Sequence, residues 1–295
     1  MKRRVAALVG PTAVGKSAIA VEVATGLGAE IVSVDSMQVY REMDAGTAKP
    51  SSAMRAAVPH HLVDICSCAH ALTAAEYQRY ARASIEDISG RSAVPLLVGG
   101  SGLYFRAVVD ELRFPPRAAE DRAALEEEAQ RDGPEALHRR LTGLDPDAAS
   151  RIDPRNTRRL VRALEVVGAQ GRFERDPAWD RYESIYDLRV AGLTRPRADL
   201  YERVTERVDE MLAGGLIDEA RRLRGELSPT ARQALGYRQV LEAGNAPPEE
   251  LRDRIVTATK RYVRRQESWF RADPRVVWFD AAAPDVVAQL CDFLG

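Results

Sequence analysis

Apolar positions in this chain follow two rhythms. Val5–Val9, Ile31–Val34, Leu62–Ile65 and Val94–Val98 are short continuous runs, each bounded by turn or breaker residues. Runs of that length read as strands buried on both faces. Lys16–Leu27 and Thr73–Ile88 lie between them with helical spacing. Strand and helix in alternation predict a parallel sheet flanked by helices. The pattern breaks at Phe114-Pro115-Pro116, and Arg117–Gly171 is charged, Ala-rich and helical in period, with no strand signal. A strand returns at Leu188–Leu193, helices follow at about Asp199–Gly214, Ile217–Arg224, Thr230–Ala243 and Glu249–Arg271, and a last strand is expected at Val276–Phe279. The expectation is a discontinuous α/β core, residues 1–114 and 188–295, interrupted by a helical insertion at 115–187.

With 295 residues and 45% hydrophobic positions, the chain can fill a sizeable core. Lys plus Arg total 43 against 44 Asp plus Glu, a net charge of -1, so no global attraction draws it to phosphate polymers. Any nucleic-acid surface must come from local clustering. Lysine occurs only at positions 2, 16, 49 and 260, which makes the positive charge almost entirely Arg. Cys66, Cys68 and Cys291 lack a paired C-x-x-C spacing and read as reduced thiols. The apolar stretch after the basic N-terminus is too brief for a signal peptide, and no run of about 18 apolar residues occurs. A cytoplasmic protein without membrane contact is expected. His60, His61, His70 and His138 form no metal-ligand spacing and receive no chemistry.

Gly10-Pro11-Thr12-Ala13-Val14-Gly15-Lys16-Ser17 fits G-x-x-x-x-G-K-[ST] between a strand and a helix, where a phosphate loop must sit. Its backbone N–H groups can curl around phosphate oxygens at a helix N-terminus, Lys16 can neutralise the terminal phosphate, and the Ser17 hydroxyl is placed to ligate Mg²⁺. This places the core among P-loop NTPase-like folds. The loop selects a di- or triphosphate without saying which, so a kinase or ATPase reading stays open. A GTPase reading fares worse, because no N-K-x-D guanine motif is present.

The remaining motifs narrow the choice. Asp35-Ser36-Met37-Gln38-Val39-Tyr40 follows the second strand; then come Asp44–Pro50, Pro59–Asp64 and Leu96–Tyr104 with its Gly99-Gly100-Ser101-Gly102. Arg159–Glu165, Gly236-Tyr237-Arg238-Gln239 and Arg264-Arg265-Gln266-Glu267-Ser268-Trp269-Phe270-Arg271 complete the set. In this order and spacing the chain resembles the tRNA dimethylallyltransferases over nearly its whole length. That resemblance implies a Mg²⁺-dependent prenyltransferase whose phosphate loop holds the pyrophosphate of dimethylallyl pyrophosphate. The acceptor would be the amino nitrogen of the adenosine 3' of the anticodon. ATP is a further candidate occupant of the loop.

Lys16, Asp35 and Ser101 are the candidate catalytic residues. The resemblance makes Asp35 the group that bonds the adenine amino nitrogen and acts as base; a Walker-B-type Mg²⁺ ligand or a helix N-cap is the alternative that position alone leaves open. Ser101 stands where the family most often has Thr, and a Gly-Ser-Gly turn without substrate contact is its alternative. An adenine inside a stacked anticodon loop must be flipped out to react, and the displaced loop must be held. By the resemblance, Asp35, Ser36, Met37, Gln38, Ser101, Arg122, Arg158, Arg159, Arg162, Arg238, Arg261, Arg264, Arg265, Gln266 and Trp269 contact the anticodon stem-loop. Arg158 replaces the family's frequent Gln, and Arg122 aligns only across a short gap. Arg261, Arg265 and Trp269 share a helix face by i, i+4 spacing, which also fits a solvated charged face beside a core Trp. No stable protein partner is implied, and no zinc-finger extension is expected after the last strand. A prenyltransferase of free adenine nucleotides and an RNA-binding module without chemistry are the rival readings.

Overall fold

The computed structural model describes residues 2–115, 119–174, 176–244 and 246–295. Pro116 and Arg117, at the expected start of the insertion, lie outside the described residues. The chain divides into two compact units, Met1–Glu111 with Tyr182–Gly295, and Leu112–Arg181. The second unit therefore begins and ends a few residues before the expected 115–187.

In the first unit the order is β1 (Arg4–Val9), α1 (Lys16–Leu27), β2 (Ala29–Val34), α2 (Ser52–Ala57), β3 (His60–His61), α3 (Ala74–Gly90), β4 (Val94–Gly99) and α4 (Gly102–Val109). The second unit holds α5 (Ala119–Asp132), α6 (Pro134–Leu144), α7 (Pro146–Ser150), α8 (Thr157–Gln170) and α9 (Ala178–Arg181). The first unit resumes with β5 (Asp187–Thr194), α10 (Arg197–Ala213), α11 (Leu216–Arg222), α12 (Tyr237–Ala243), α13 (Pro248–Arg271), β6 (Val276–Asp280) and α14 (Val286–Leu294).

The six strands of the first unit form one sheet, ordered β3-β2-β4-β1-β5-β6, with every pairing parallel. Parallel sheets need cover on both faces, which is why β1 is apolar at each position from Val5 to Val9. Val5, Ala7 and Val9 enter one core with Tyr77, Ile85, Phe105 and Phe270, while Ala6 and Leu8 enter the other with Ile19, Val23, Leu200 and Leu290. Successive side chains of a strand point to opposite faces, so one continuous run fills both.

Two expected elements are cut short. The run Leu62–Ile65 is not a strand: only His60 and His61 pair with β2, and Leu62 and Asp64 then take positive φ (65° and 58°) and turn the chain away. Leu62 is apolar because it is buried in the core beside β2. The expected helix Thr230–Ala243 splits into a 3₁₀ turn at Ala231–Gln233 and α12, divided at Gly236 with φ 89°. The Gly236 N–H donates to Gln239 Oε1 at 2.8 Å, and a Cβ there would stand 2.8 Å from Leu216. A helix at the C-terminal end, α14, was not anticipated.

The second unit has its own core of Leu125, Leu137, Leu141, Ile152, Leu160, Leu164 and Val167. Its α8 carries a buried carboxylate, Glu165, held by Arg162 at 3.3 Å and Arg122 at 3.5 Å. Asp145 links helix and loop by accepting from the Ala148 and Phe173 N–H groups, bonds that hold its carboxyl below the ordinary carboxylate pKa.

In the first unit, Asp110 ends α4 fully buried between the guanidinium groups of Arg106 and Arg275, and Arg275 also grips Asp273. Removing one member of such a buried set leaves its partners' charge uncompensated. Asp110→Ala is therefore expected to lower unfolding free energy by about 3–5 kcal/mol. Urea or guanidinium titration measures this, and a loss near that of a surface substitution would refute the account.

Candidate active site

The site is built where three neighbouring strands end level. Val34 of β2 and Val9 of β1 both pair in register with Gly99 of β4. The residues that follow, Asp35, Gly10 and Gly100-Ser101, thus leave the sheet side by side at its carboxyl edge, where open α/β sheets bind ligands. Close approach demands the glycine: a Cβ on Gly99 would lie 1.9 Å from the Val34 carbonyl oxygen.

The phosphate loop runs from Gly10 to Ser17. Gly10 (φ 149°) presses on β5, where a Cβ would stand 2.7 Å from the Leu193 oxygen, and Gly15 (φ 105°) starts α1. No side chain caps α1, so its first N–H groups are left for an anion. Two arginines that the motif search did not single out hold the loop from behind. Arg203 of α10 donates to the Ala13 carbonyl at 2.8 Å, and Arg195 donates to that of Val14 at 3.0 Å. In a trans peptide the next N–H points away from the carbonyl, so these bonds aim the Val14 and Gly15 N–H groups away from the arginines.

Lys16 donates to the Pro11 carbonyl at 2.6 Å. Its ammonium is pushed down to about 7, chiefly because it has lost solvent and secondly because Arg207 lies near; the Asp35 carboxylate opposes the shift. A bound polyphosphate supplies the negative charge that restores the ammonium. Arg207 was also missed in the sequence. It sits one helical turn after Arg203 on α10, and burial lowers its pKa while Asp35 works against the fall. The i, i+4 spacing of Arg203 and Arg207 was visible, but many solvated helices carry the same spacing.

Asp35 Oδ1 accepts from the Met37 N–H at 2.8 Å and the Gln38 N–H at 3.3 Å, closing an Asx turn that fixes the carboxylate. Gln38 is itself tied down: it accepts from the Ser33 hydroxyl at 2.8 Å and donates to the Ala48 carbonyl at 2.9 Å. The Asp44–Pro50 motif is a strut. Glu219 accepts from the Asp44 and Ala45 N–H groups and from the Tyr237 hydroxyl, and a Cβ on Gly46 would lie 2.4 Å from the Tyr237 ring. Ser101 precedes α4 with a partly exposed hydroxyl that makes no cap bond.

The expected RNA contacts fall into two groups. Arg158 and Arg159 at the start of α8, Arg238 on α12, and Arg261, Arg264, Arg265 and Trp269 on α13 are exposed. Ser36 and Met37 are partly exposed beside Asp35. Gln38 and three others have bonding partners within the protein. Arg122 and Arg162 neutralise Glu165, and Arg162 also donates to the Pro115 carbonyl at 2.8 Å. Gln266 is 5% exposed, and its amide bonds Thr12 and Gly100 rather than facing the surface.

Among the described residues no group of three or more His, Cys, Asp or Glu could hold a metal ion. A Mg²⁺ here would take its oxygens from the polyphosphate and the exposed Ser17 hydroxyl at the head of α1, which suits an ion that keeps water and substrate ligands. The free helix N-terminus and glycine cradle fit that arrangement.

This geometry has known counterparts. The sequence model of the IPP transferase family matches residues 38–273. A tRNA dimethylallyltransferase of Acidothermus cellulolyticus is 51% identical over 286 residues, 95% of this chain and 90% of the relative. One from Thermobifida fusca is 50% identical over 96% of this chain and 92% of its own. The structure is similar to that of the full-length tRNA isopentenylpyrophosphate transferase from Bacillus halodurans, with TM-score 0.73 and 39% identity over 99% of this chain and 96% of that one. A P-loop α/β core and these matches along most of the chain agree: the chain belongs to the IPP transferase family.

Proposed function

We propose that the protein transfers a dimethylallyl group from dimethylallyl pyrophosphate to the exocyclic amino nitrogen of the adenosine 3' of the anticodon in tRNA. The products are N6-(dimethylallyl)adenosine and pyrophosphate. The observation that carries this reading is the level ending of β1, β2 and β4, which sets a phosphate cradle beside a fixed carboxylate. The relatives' names, tRNA dimethylallyltransferase, supply the substrates.

The adenine amino group is a poor nucleophile, because its lone pair is delocalised into the ring. As the new N–C bond forms, the prenyl C–O bond breaks and its electron pair leaves with pyrophosphate. The amino proton passes to the Asp35 carboxylate, which is held in place by the Met37 and Gln38 N–H groups on Oδ1. Lys16, Arg207 and the loop N–H groups stabilise the charge on the departing pyrophosphate, a term that grows toward the transition state. Ser17 would hold a Mg²⁺ bound with the diphosphate, and the ion would supply Lewis-acid neutralisation of the same charge. The exposed arginines of α8, and separately those of α13, bind the RNA backbone; Trp269 and the Asp35–Met37 turn hold the flipped base and its neighbours. No helix among the described residues is long and apolar enough to cross a membrane. A tRNA substrate supports a cytoplasmic site of action.

Mass spectrometry of nucleosides from tRNA incubated with enzyme and dimethylallyl pyrophosphate tests the reaction. Wild type should yield dimethylallyladenosine from tRNA and no prenylated AMP. Lys16→Ala should abolish transfer while tRNA affinity changes little; undiminished turnover at saturating donor would exclude the charge-stabilising role.

Asp35→Asn keeps size and removes the proton acceptor, so the rate should fall by roughly two or more orders of magnitude with tRNA binding retained. Activity recovered at high Mg²⁺ would instead make Asp35 a metal ligand.

Replacing Arg261 and Arg264 together with Ala should weaken tRNA binding and flatten the dependence of log affinity on log salt by about one unit per phosphate contact. A rate lost with intact affinity would move these residues out of the RNA surface.

A further inference from the structure

One face of α13 is pressed along the segment that carries Ser101. A Cβ on Gly100 would lie 2.1 Å from Gln266 Nε2, and one on Gly102 would lie 2.0 Å from Trp269 Cδ1. One turn further along, Phe270 meets Phe105 edge-on at 5.9 Å between ring centroids. Both glycines are there because the helix leaves no room for a side chain.

Within this seam Gln266 reaches two loops at once. Its Oε1 accepts from the Thr12 N–H at 2.9 Å, in the phosphate loop, and its Nε2 donates to the Gly100 carbonyl at 2.9 Å, one residue before Ser101. An acceptor bond on Oε1 and a donor bond on Nε2 fix which way round the amide lies. Bonds to fixed groups at both ends of a buried planar amide hold the Gly10–Ser17 loop and the Gly99–Ser101 loop at one separation.

These loops are the two sides of the reaction. On the prenyl-transfer reading, the first holds the diphosphate whose ester bond breaks, and the second lies against Val34, the residue before Asp35, which takes the proton of the acceptor base. We propose that Gln266 is a positioning residue that sets the distance between donor and acceptor while touching neither. Without it each loop still binds its own substrate, but the attacking nitrogen and the prenyl carbon lose their alignment. Misplacement of about 1 Å costs on the order of 100-fold in rate.

The test is single-turnover transfer by the full chain from dimethylallyl pyrophosphate to an anticodon stem-loop, with stem-loop affinity measured alongside by fluorescence anisotropy. Gln266→Ala should lose on the order of 100-fold in rate at saturating substrates, with affinity for the stem-loop unchanged. Gln266→Glu supplies the discriminating readout. An ionised Glu still accepts from Thr12 but repels the Gly100 carbonyl, whereas a protonated one donates to it, and burial raises its pKa into an accessible range. The rate of this variant relative to wild type, taken at each pH, should therefore rise as pH falls from about 8 to about 6. A ratio flat with pH, or a Gln266→Ala variant that loses stem-loop affinity and keeps its saturated rate, would overturn the role. Absence of transfer by the wild type would sink the functional reading itself, a result distinct from either.

Discussion

Everything at the carboxyl edge of the sheet depends on the parallel alignment of Val34, Gly99 and Val9. Each of the three strands turns out of the sheet at the same level, and each turn delivers a different chemical part: a carboxylate, a hydroxyl and an anion cradle. Parallel strands make this possible because all their C-terminal ends lie on one side, with helix N-termini pointing back toward them. A one-residue slip of β4 would turn Val98 toward the site and bring a side chain against the Val34 carbonyl, where only glycine fits. The register is thus held from both sides by burial and by the absence of a Cβ.

Around this edge the protein surrounds the loops with contacts from distant sequence. Arg195, Arg203 and Gln266 all bond backbone atoms of the phosphate loop, from positions 181, 190 and 254 residues away from their partners. A glycine-rich loop alone would be conformationally free. Held at its carbonyls from one side and at the Thr12 N–H from another, it is preorganised, so binding loses less entropy to loop ordering.

The parts that could be read in the sequence are those with strong local rules. Continuous apolar runs marked β1, β2, β4 and β5, and Thr73 with Glu76 forms the capping box that starts α3. The phosphate loop and Asp35 were legible because motif and strand end coincide. Arg207, Arg203 and Arg195 were not, since an arginine on a helix becomes a site residue only through the tertiary fold that aims it. Leu62–Ile65 misled for a related reason: its apolarity serves a core contact, and positive φ at Leu62 and Asp64 leaves no trace in a hydrophobic pattern. Gln266 sits in an Arg-rich run, and the run's character hid a buried strut among surface residues.

The cationic lining of the loop has a second face. Lys16 and Arg207 beside an uncapped helix N-terminus attract a leaving group that gains charge as it departs, and the free product carries more negative charge than the ester it came from. Cations arranged for that charge attract the more highly charged pyrophosphate more strongly than the ester donor. The groups that assist the departure of pyrophosphate thus also oppose its escape, so one set of charges acts on both the bond-breaking step and the emptying of the site.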